Sequence, residues 1–318
     1  MQPQPTGRPR YAYLGPAGTF TEAALRQVAS PDEAEYLPQH DVLAAIEAVR
    51  TGDADFAVVA IENSVEGAVT AVLDTLSTGT PLVLLRELLV PVTFQLAARP
   101  GTSLADVRRV AAHPHAWAQC RGWFAAHLPD ARHVPSTSNT AGAAVLVGED
   151  PDPGFDAALV PPTAVQHYRL AVLAEGVADN AGAVTRFVVV GKPGEVPPPT
   201  GADKTTLMVQ LPDDAAGALL TMLEQFATRG VNLSRIESRP LGDELGRYFF
   251  SIDADGHIAE ARMAEALMGL HRVCPVVRFL GSYPRADVRP NEIHVGTGDD
   301  DFAAARAWVE QIRLGRAR

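Results

Sequence analysis

Apolar residues fall into two rhythms along this chain. Short β-branched runs bounded by polar turns read as buried strands, and apolar positions three or four apart read as one face of a helix. Strands are expected at 11–14, 55–61, 82–85, 88–98, 107–111, 155–160, 171–174 and 183–190. Between them lie helices: from Thr19 to about Val28, at 41–50 with Val42, Ala45, Ile46 and Val49 on one face, and from Asn63 to about Leu76. Others begin at Pro114, at 141 and at Pro162. Strand, polar turn and helix repeating in this way imply an α/β architecture with a largely parallel sheet system, here in two lobes with a cleft between them.

After a stretch rich in proline and glycine at 192–203 the rhythm changes. Strands at 204–211, 231–239, 247–255 and 276–282 enclose helices at 215–228 and 258–273, a βαββαβ order that is ferredoxin-like. The expected organisation is a flexible N-terminus (1–9), a two-lobed domain (10–191), a linker (192–203), a ferredoxin-like domain (204–284) and a polar tail (285–318). Within the two-lobed domain, lobe one takes about 10–86 and 171–191, and lobe two about 87–170. The tail carries an amphipathic piece near Phe302, Trp308, Val309 and Ile312.

Charge narrows the function. A net charge of −11 argues against a nucleic-acid partner, which needs a basic face. The two cysteines, Cys120 and Cys274, form no disulfide framework. No run is long enough for a membrane span, and the start does not read as a signal peptide. The expected location is the cytoplasm.

Candidate chemistry centres on Thr185-Arg186-Phe187, where a hydroxyl and a guanidinium enter a buried apolar run. A buried cation needs a partner. Arg186 therefore meets either a nearby carboxylate or an anionic ligand, with Thr185 beside it as a proton donor. Hydroxyl- and amide-bearing turns at Thr19, at Asn63-Ser64 and at 136–140 open helices. Thr19 with Glu22 and Asn63 with Glu66 match capping boxes. Helix N-termini of this kind suit a small anion with several oxygens. His113 and His115, two apart, do not share a helix face and do not read as a metal pair.

Six ordered motifs carry a resemblance. They are 13–20 (YLGPAGTF), Glu62-Asn63-Ser64 with Gly67, 113–120 (HPHAWAQC), Ser136-Thr137-Ser138, Thr185-Arg186-Phe187 and Ile236-Glu237-Ser238-Arg239-Pro240. With the ferredoxin-like segment behind them, the chain from Tyr11 to Tyr283 resembles the prephenate dehydratase family with a C-terminal ACT regulatory domain. The resemblance implies a two-lobed catalytic domain like type II periplasmic binding proteins. It also implies conversion of prephenate to phenylpyruvate, carbon dioxide and water, with no metal or other cofactor. It implies Thr185 as the catalytic hydroxyl, with Arg186, Asn63, Ser64 and Gln119 in the catalytic set and Thr19, Glu62, Ser138 and Phe187 lining the substrate. It places phenylalanine at an ACT dimer interface on Gly217, Ala218, Leu219, Asn232, Leu233, Glu237, Ser238, Arg239 and Pro240, in a homodimer or homotetramer. Asp213 and Asp214 either form a solvated loop or attract its ammonium.

Three positions depart from the family pattern. Gly182, Ala183 and Val184 stand where an Asn usually precedes the Thr-Arg-Phe motif, so either Asn180 substitutes or that contact is absent. Ala112 replaces a Ser before the His-Pro pair, and Ala216 replaces a Pro in the ACT loop. Two other readings remain at this level: an arogenate dehydratase, and a non-catalytic amino-acid sensor.

Overall fold

A computed structural model of the chain describes residues 7–65, 67–150, 152–211, 216–240 and 248–316. It divides into two compact units, Met1–Val72 with Leu88–Val189, and Leu73–Glu87 with Val190–Arg318.

Two sheets carry the first unit. One has the order β2-β1-β3-β11-β5, built from β1 (Arg10–Leu14), β2 (Glu35–Gln39), β3 (Phe56–Asn63), β5 (Val83–Pro91) and β11 (Val184–Gly191), with the short β4 (Gly67–Ala68) turning back on β3. β1 runs parallel to both β2 and β3. The other has the order β10-β6-β9-β7-β8, from β6 (Gln95–Ala98), β7 (Arg109–Ala112), β8 (Arg132–Pro135), β9 (Ala157–Val160) and β10 (Ala171–Ala174). Central strands are the most apolar: all four residues of β9 are buried. Helices α1 (Phe20–Leu25), α2 (Val42–Thr51), α3 (Thr70–Ser77), α4 (Pro114–Ala118), α5 (Arg121–His127), α6 (Ala141–Leu146) and α7 (Pro162–Tyr168) connect them. The expected α2 face is observed, with Ala45, Ile46 and Val49 buried. Asp41 caps its start, and Gly52, at φ +90°, takes the left-handed turn that ends it.

Several expectations are corrected here. β2 and β8 are not foreseen, because both are edge strands carrying a proline (Pro38, Pro135) and little buried surface. β5 runs unbroken through Arg86-Glu87, where a strand end was expected. Glu87 is tolerated because its carboxylate accepts from Lys204 Nζ at 2.7 Å. β10 pairs antiparallel with β6, so residues 171–174 belong to the second sheet and not to lobe one. No helix begins at Asn63: β3 runs through it, and α3 starts only at Thr70. Glu66, the supposed capping partner, lies outside the described residues.

The second unit contains the βαββαβ order as expected: β12 (Asp203–Gln210), α8 (Ala218–Ala227), β13 (Leu233–Pro240), β14 (Tyr248–Asp255), α9 (Ala261–Val273) and β15 (Val276–Pro284), in the antiparallel sheet order β13-β14-β12-β15. Leu207, Val209 and Ile252 pack with Met222 and Phe226 of α8 and Met263 and Leu270 of α9. Alternation turns Thr206, Ser251 and Asp253 to the opposite face. There Arg235 meets Asp253 at 2.8 Å and Ser251 at 2.7 Å, while Thr206 Oγ1 donates to Asp253 Oδ1 at 2.7 Å.

Residues 73–87 join this unit through polar contacts. Arg278 donates to the carbonyl of Leu76 in the last turn of α3 at 2.9 Å and to that of Gly79 just beyond it at 2.6 Å. At Gly281 a side chain would meet the Leu84 carbonyl oxygen at 2.3 Å, so β15 requires glycine there. The tail forms α10 (Asp299–Arg313), on which Trp308, Val309 and Ile312 are 59%, 42% and 48% exposed. No helix among the described residues is long and apolar enough to cross a membrane.

Candidate functional site

β3 and β11 are neighbours, so the end of one lies beside the start of the other. Ser64 and Val184 are tied in both directions: Ser64 N donates to Val184 O, and Val184 N donates to Ser64 Oγ, each at 2.9 Å. One residue further, Asn63 Nδ2 donates to Thr185 Oγ1 at 2.9 Å. Val65 N donates to Asn63 Oδ1 at 2.8 Å, and this contact fixes which end of the amide faces Thr185. Thr185 Oγ therefore accepts from Asn63, and its own hydrogen is directed elsewhere. Asn63 and Ser64 thus orient Thr185 from a strand end rather than from a helix cap.

Thr185 and Arg186 are 8% and 6% exposed. Arg186 Nη1 lies 3.6 Å from Glu62 Oε2, longer than a charge-assisted hydrogen bond. The Glu62 side chain is 40% exposed against 7% for Arg186. This contact with Glu62 is therefore long, and open on its acidic side. Phe187, expected to line the substrate, is 2% exposed and packs with Tyr13, Val58, Leu88 and Val189. It backs the strand from the core.

Thr19 caps α1, donating to Leu14 O at 3.1 Å and accepting from Glu22 N at 3.2 Å. The expected capping box is only half formed. Glu22 Oε2 accepts from Gly18 N at 2.6 Å instead of from the cap residue, and Oε1 accepts from Arg26. The turn also meets α7: Thr163 Oγ1 donates to Gly18 O at 2.7 Å. A side chain at Gly18 would lie 2.8 Å from Ala164 Cα, so the close approach depends on glycine.

Ser138 Oγ accepts from Ala141 N at 3.0 Å and so starts α6. Gln119 ends α4, and its carbonyl accepts from Asp179 N at 2.7 Å. Asn180, the proposed substitute before the Thr-Arg-Phe motif, uses Oδ1 to accept from Gly182 N at 3.0 Å and closes its own turn. Burial lifts the neighbouring Cys120 thiol to about 12, and the Asp179 carboxylate adds to the rise. Sequence reasoning passed over Asp179 and Thr163. The only signal was an acidic residue and a hydroxyl next to turns.

In the ferredoxin-like unit, Gly217 is the N-cap of α8 at φ +87°, a conformation that favours glycine. Ala218 opens the helix, and Leu219 is 41% exposed. Asn232 donates to Asp255 at 2.7 Å beside a cavity of about 330 Å³, which Arg285, Asn291 and His294 also line. Leu233 packs against the core. Glu237, Ser238, Arg239 and Pro240 lie at the end of β13, an edge strand. Arg239 is paired within the chain: Nε and Nη2 donate to the two Asp74 oxygens at 3.1 and 2.8 Å. Asp213 and Asp214 lie outside the described residues. Among the described residues no group of three or more His, Cys, Asp or Glu is placed to hold a metal ion.

Comparison with known proteins follows the same lines. A family model described as prephenate dehydratase matches residues 11–195. The prephenate dehydratase of Mycolicibacterium vanbaalenii is 46% identical over 321 residues, spanning 97% of this chain and 99% of the relative. Among solved structures, the prephenate dehydratase of Arthrobacter aurescens in complex with L-Phe superposes with a TM-score of 0.91 at 54% identity, covering 96% of this chain and 99% of that one. GqqA, described as a quorum-quenching acylase, superposes with a TM-score of 0.77 at 30% identity, over 86% of this chain and 97% of its own.

Proposed function

This chain belongs to the prephenate dehydratase family, and we propose that it converts prephenate to phenylpyruvate, carbon dioxide and water with Thr185 as proton donor. The hydrogen bond from Asn63 to Thr185 Oγ1 carries this reading. A hydroxyl that accepts from a fixed amide presents its proton in one direction, and donating to it makes it a better acid.

Prephenate carries a ring hydroxyl opposite a carboxylate. Hydroxide is a poor leaving group, so the reaction needs a donor at that oxygen in the transition state. General acid help of this kind is worth about 10² to 10⁴ in rate. The carbon–oxygen bond breaks as Thr185 gives its proton to the departing oxygen, which forms water. The carbon–carbon bond to the carboxylate breaks in the same event, and its electron pair completes the aromatic ring as carbon dioxide leaves. Solvent reprotonates the Thr185 alkoxide.

Arg186 holds a substrate carboxylate. The pyruvyl carboxylate suits this role, because a tight clamp on the departing one would stabilise the ground state and slow its loss. Glu62 competes loosely for Arg186 and yields to substrate. Ser64 sets the register of Val184 and so of Thr185, while Gln119, Thr19 and Ser138 supply the remaining polar lining.

Phenylalanine is the proposed feedback effector, bound by the ferredoxin-like unit. The L-Phe complex of the Arthrobacter aurescens relative supports this, as does the positive-φ Gly217 opening α8. Assembly through this unit is supported by β13 being an outer strand among the described residues, with Ile236 44% exposed, and by Leu220, 60% exposed. The test is turnover by the purified chain, read as phenylpyruvate formed from prephenate, with and without added phenylalanine, and separately as phenylalanine formed from arogenate. Turnover of neither substrate would overturn the enzymatic reading. A preference for arogenate would reassign the substrate.

A further inference from the structure

The stretch from Val177 to Thr185, which contains the departure from the family pattern at 180–184, is anchored along its length. Val177 N donates to Phe94 O at 3.2 Å, and Val92 N donates to Ala183 O at 2.8 Å. Val184 is tied to Ser64 and Thr185 to Asn63. The anchor farthest from Thr185 in the polar part of the loop is Asp179, and it is the most elaborate.

Asp179 uses three polar atoms on one turn of a distant segment. Its Oδ2 accepts from Gly122 N at 2.9 Å and its Oδ1 from Trp123 N at 3.0 Å. Its own N–H donates to Gln119 O at 2.7 Å. A carboxylate on the first N–H groups of α5 is an ordinary capping arrangement. The third bond goes beyond capping, since it grips the residue that ends α4. The whole 119–123 turn is thereby held in register with the loop that delivers Thr185. Gly122 is shaped to this partner: a Cβ there would stand 2.9 Å from Asp179 Oδ1. The carboxylate therefore occupies the space a side chain would fill.

We propose that Asp179 is a positioning residue for the dehydration, setting Gln119 at a fixed place relative to Thr185. This rests on the assignment of Gln119 and Thr185 to the site. Asp179 touches no reacting atom and acts through the two segments it joins. Small misplacements of catalytic groups lower rates far more than they lower stability.

The experiment compares the full-length chain with Asp179→Asn, Gly122→Ala and the double variant, reading kcat, KM and melting temperature with prephenate. Expected is a kcat loss of between about tenfold and a hundredfold for each single variant. KM should stay within about threefold of wild type, and the double variant should be no worse than the poorer single, because both changes break one grip. Asp179→Asn with wild-type kcat, or a fall in melting temperature with kcat per folded enzyme unchanged, would overturn the proposal. If Asp179→Asn does not fold, Gly122→Ala alone decides by the same criteria. Gln119→Ala separates the two levels: if it keeps wild-type kcat, the site assignment fails, whereas a loss there beside unaltered Asp179 variants defeats the positioning role alone.

Discussion

Asn63 donates from its side-chain amide to Thr185 Oγ1 at 2.9 Å, across 122 positions of sequence. The direction of that bond makes a signed prediction. Asn63→Ala removes the orienting donor, while Asn63→Asp replaces it with an acceptor that captures the Thr185 proton. The aspartate variant should therefore be the slower of the two, although it is closer in shape. Thr185→Ser should retain most of the activity, and Thr185→Ala should lose about 10² or more in kcat. Steady-state kinetics with prephenate checks this order. A Thr185→Ala enzyme within about threefold of wild type would remove Thr185 from the role of acid.

Arg186 and Glu62 make a second signed pair. Their 3.6 Å separation makes Glu62 a weak competitor for the guanidinium proposed to hold the substrate carboxylate. Glu62→Gln removes the competing charge and should lower KM by a few fold to about tenfold, the range expected when one partly screened charge is lost near an ion pair. Arg186→Ala should raise KM. Arg186→Lys should rescue it poorly, because a point charge does not reproduce a planar fork. A fall in kcat for Arg186→Ala with KM untouched would count against carboxylate anchoring.

Much of this is legible in the sequence. The apolar runs at 56–61 and 184–190 and the periodic face of α2 follow from burial alone, and the βαββαβ order follows from spacing. Two edge strands, Glu35–Gln39 and Arg132–Pro135, were not legible, because they bury too little to leave an apolar signature. In the site, residue identities were readable but local geometry was not. Asn63 looks like a helix cap because Asn commonly is one. Its true partner is remote in sequence, and only strand pairing brings it to Thr185. Asp179 and Asp74 were missed for the same reason, since a polar residue in a turn does not announce which distant backbone or guanidinium it meets.

The Cys120 thiol gives a prediction in pH. Burial raises it to about 12, against about 8.5 in an unfolded chain. The neutral thiol's contribution to stability is fully present below about pH 8.5 and is lost as pH rises toward about 12, because the unfolded chain ionises first. The stability advantage of the wild type over Cys120→Ala should therefore shrink between pH 8 and pH 10.5 in urea titrations. At pH 8 the native thiol should resist iodoacetamide, with peptide mapping to separate it from Cys274. Alkylation of native Cys120 at the rate of the urea-unfolded control would contradict its burial.

Arg239 is the residue of the ferredoxin-like unit whose motif role and observed pairing can be told apart by experiment. The motif places it among the phenylalanine contacts, whereas its guanidinium is paired in bidentate fashion with Asp74. Asp74 belongs to α3, the helix that follows the Asn63–Ser64 strand end, so loss of either partner should disturb the same link. Arg239→Ala and Asp74→Ala should weaken phenylalanine inhibition to a similar degree, and the double variant should add little, giving a coupling energy of about 0.5 kcal/mol or more in a double-mutant cycle on the inhibition constant. Both side chains are partly exposed, so the stability change should stay within about 1 kcal/mol. Turnover without phenylalanine should remain within about twofold, since neither residue is in the catalytic set. If Arg239→Ala abolishes inhibition while Asp74→Ala leaves it intact, the guanidinium acts on the effector directly and the pair is incidental.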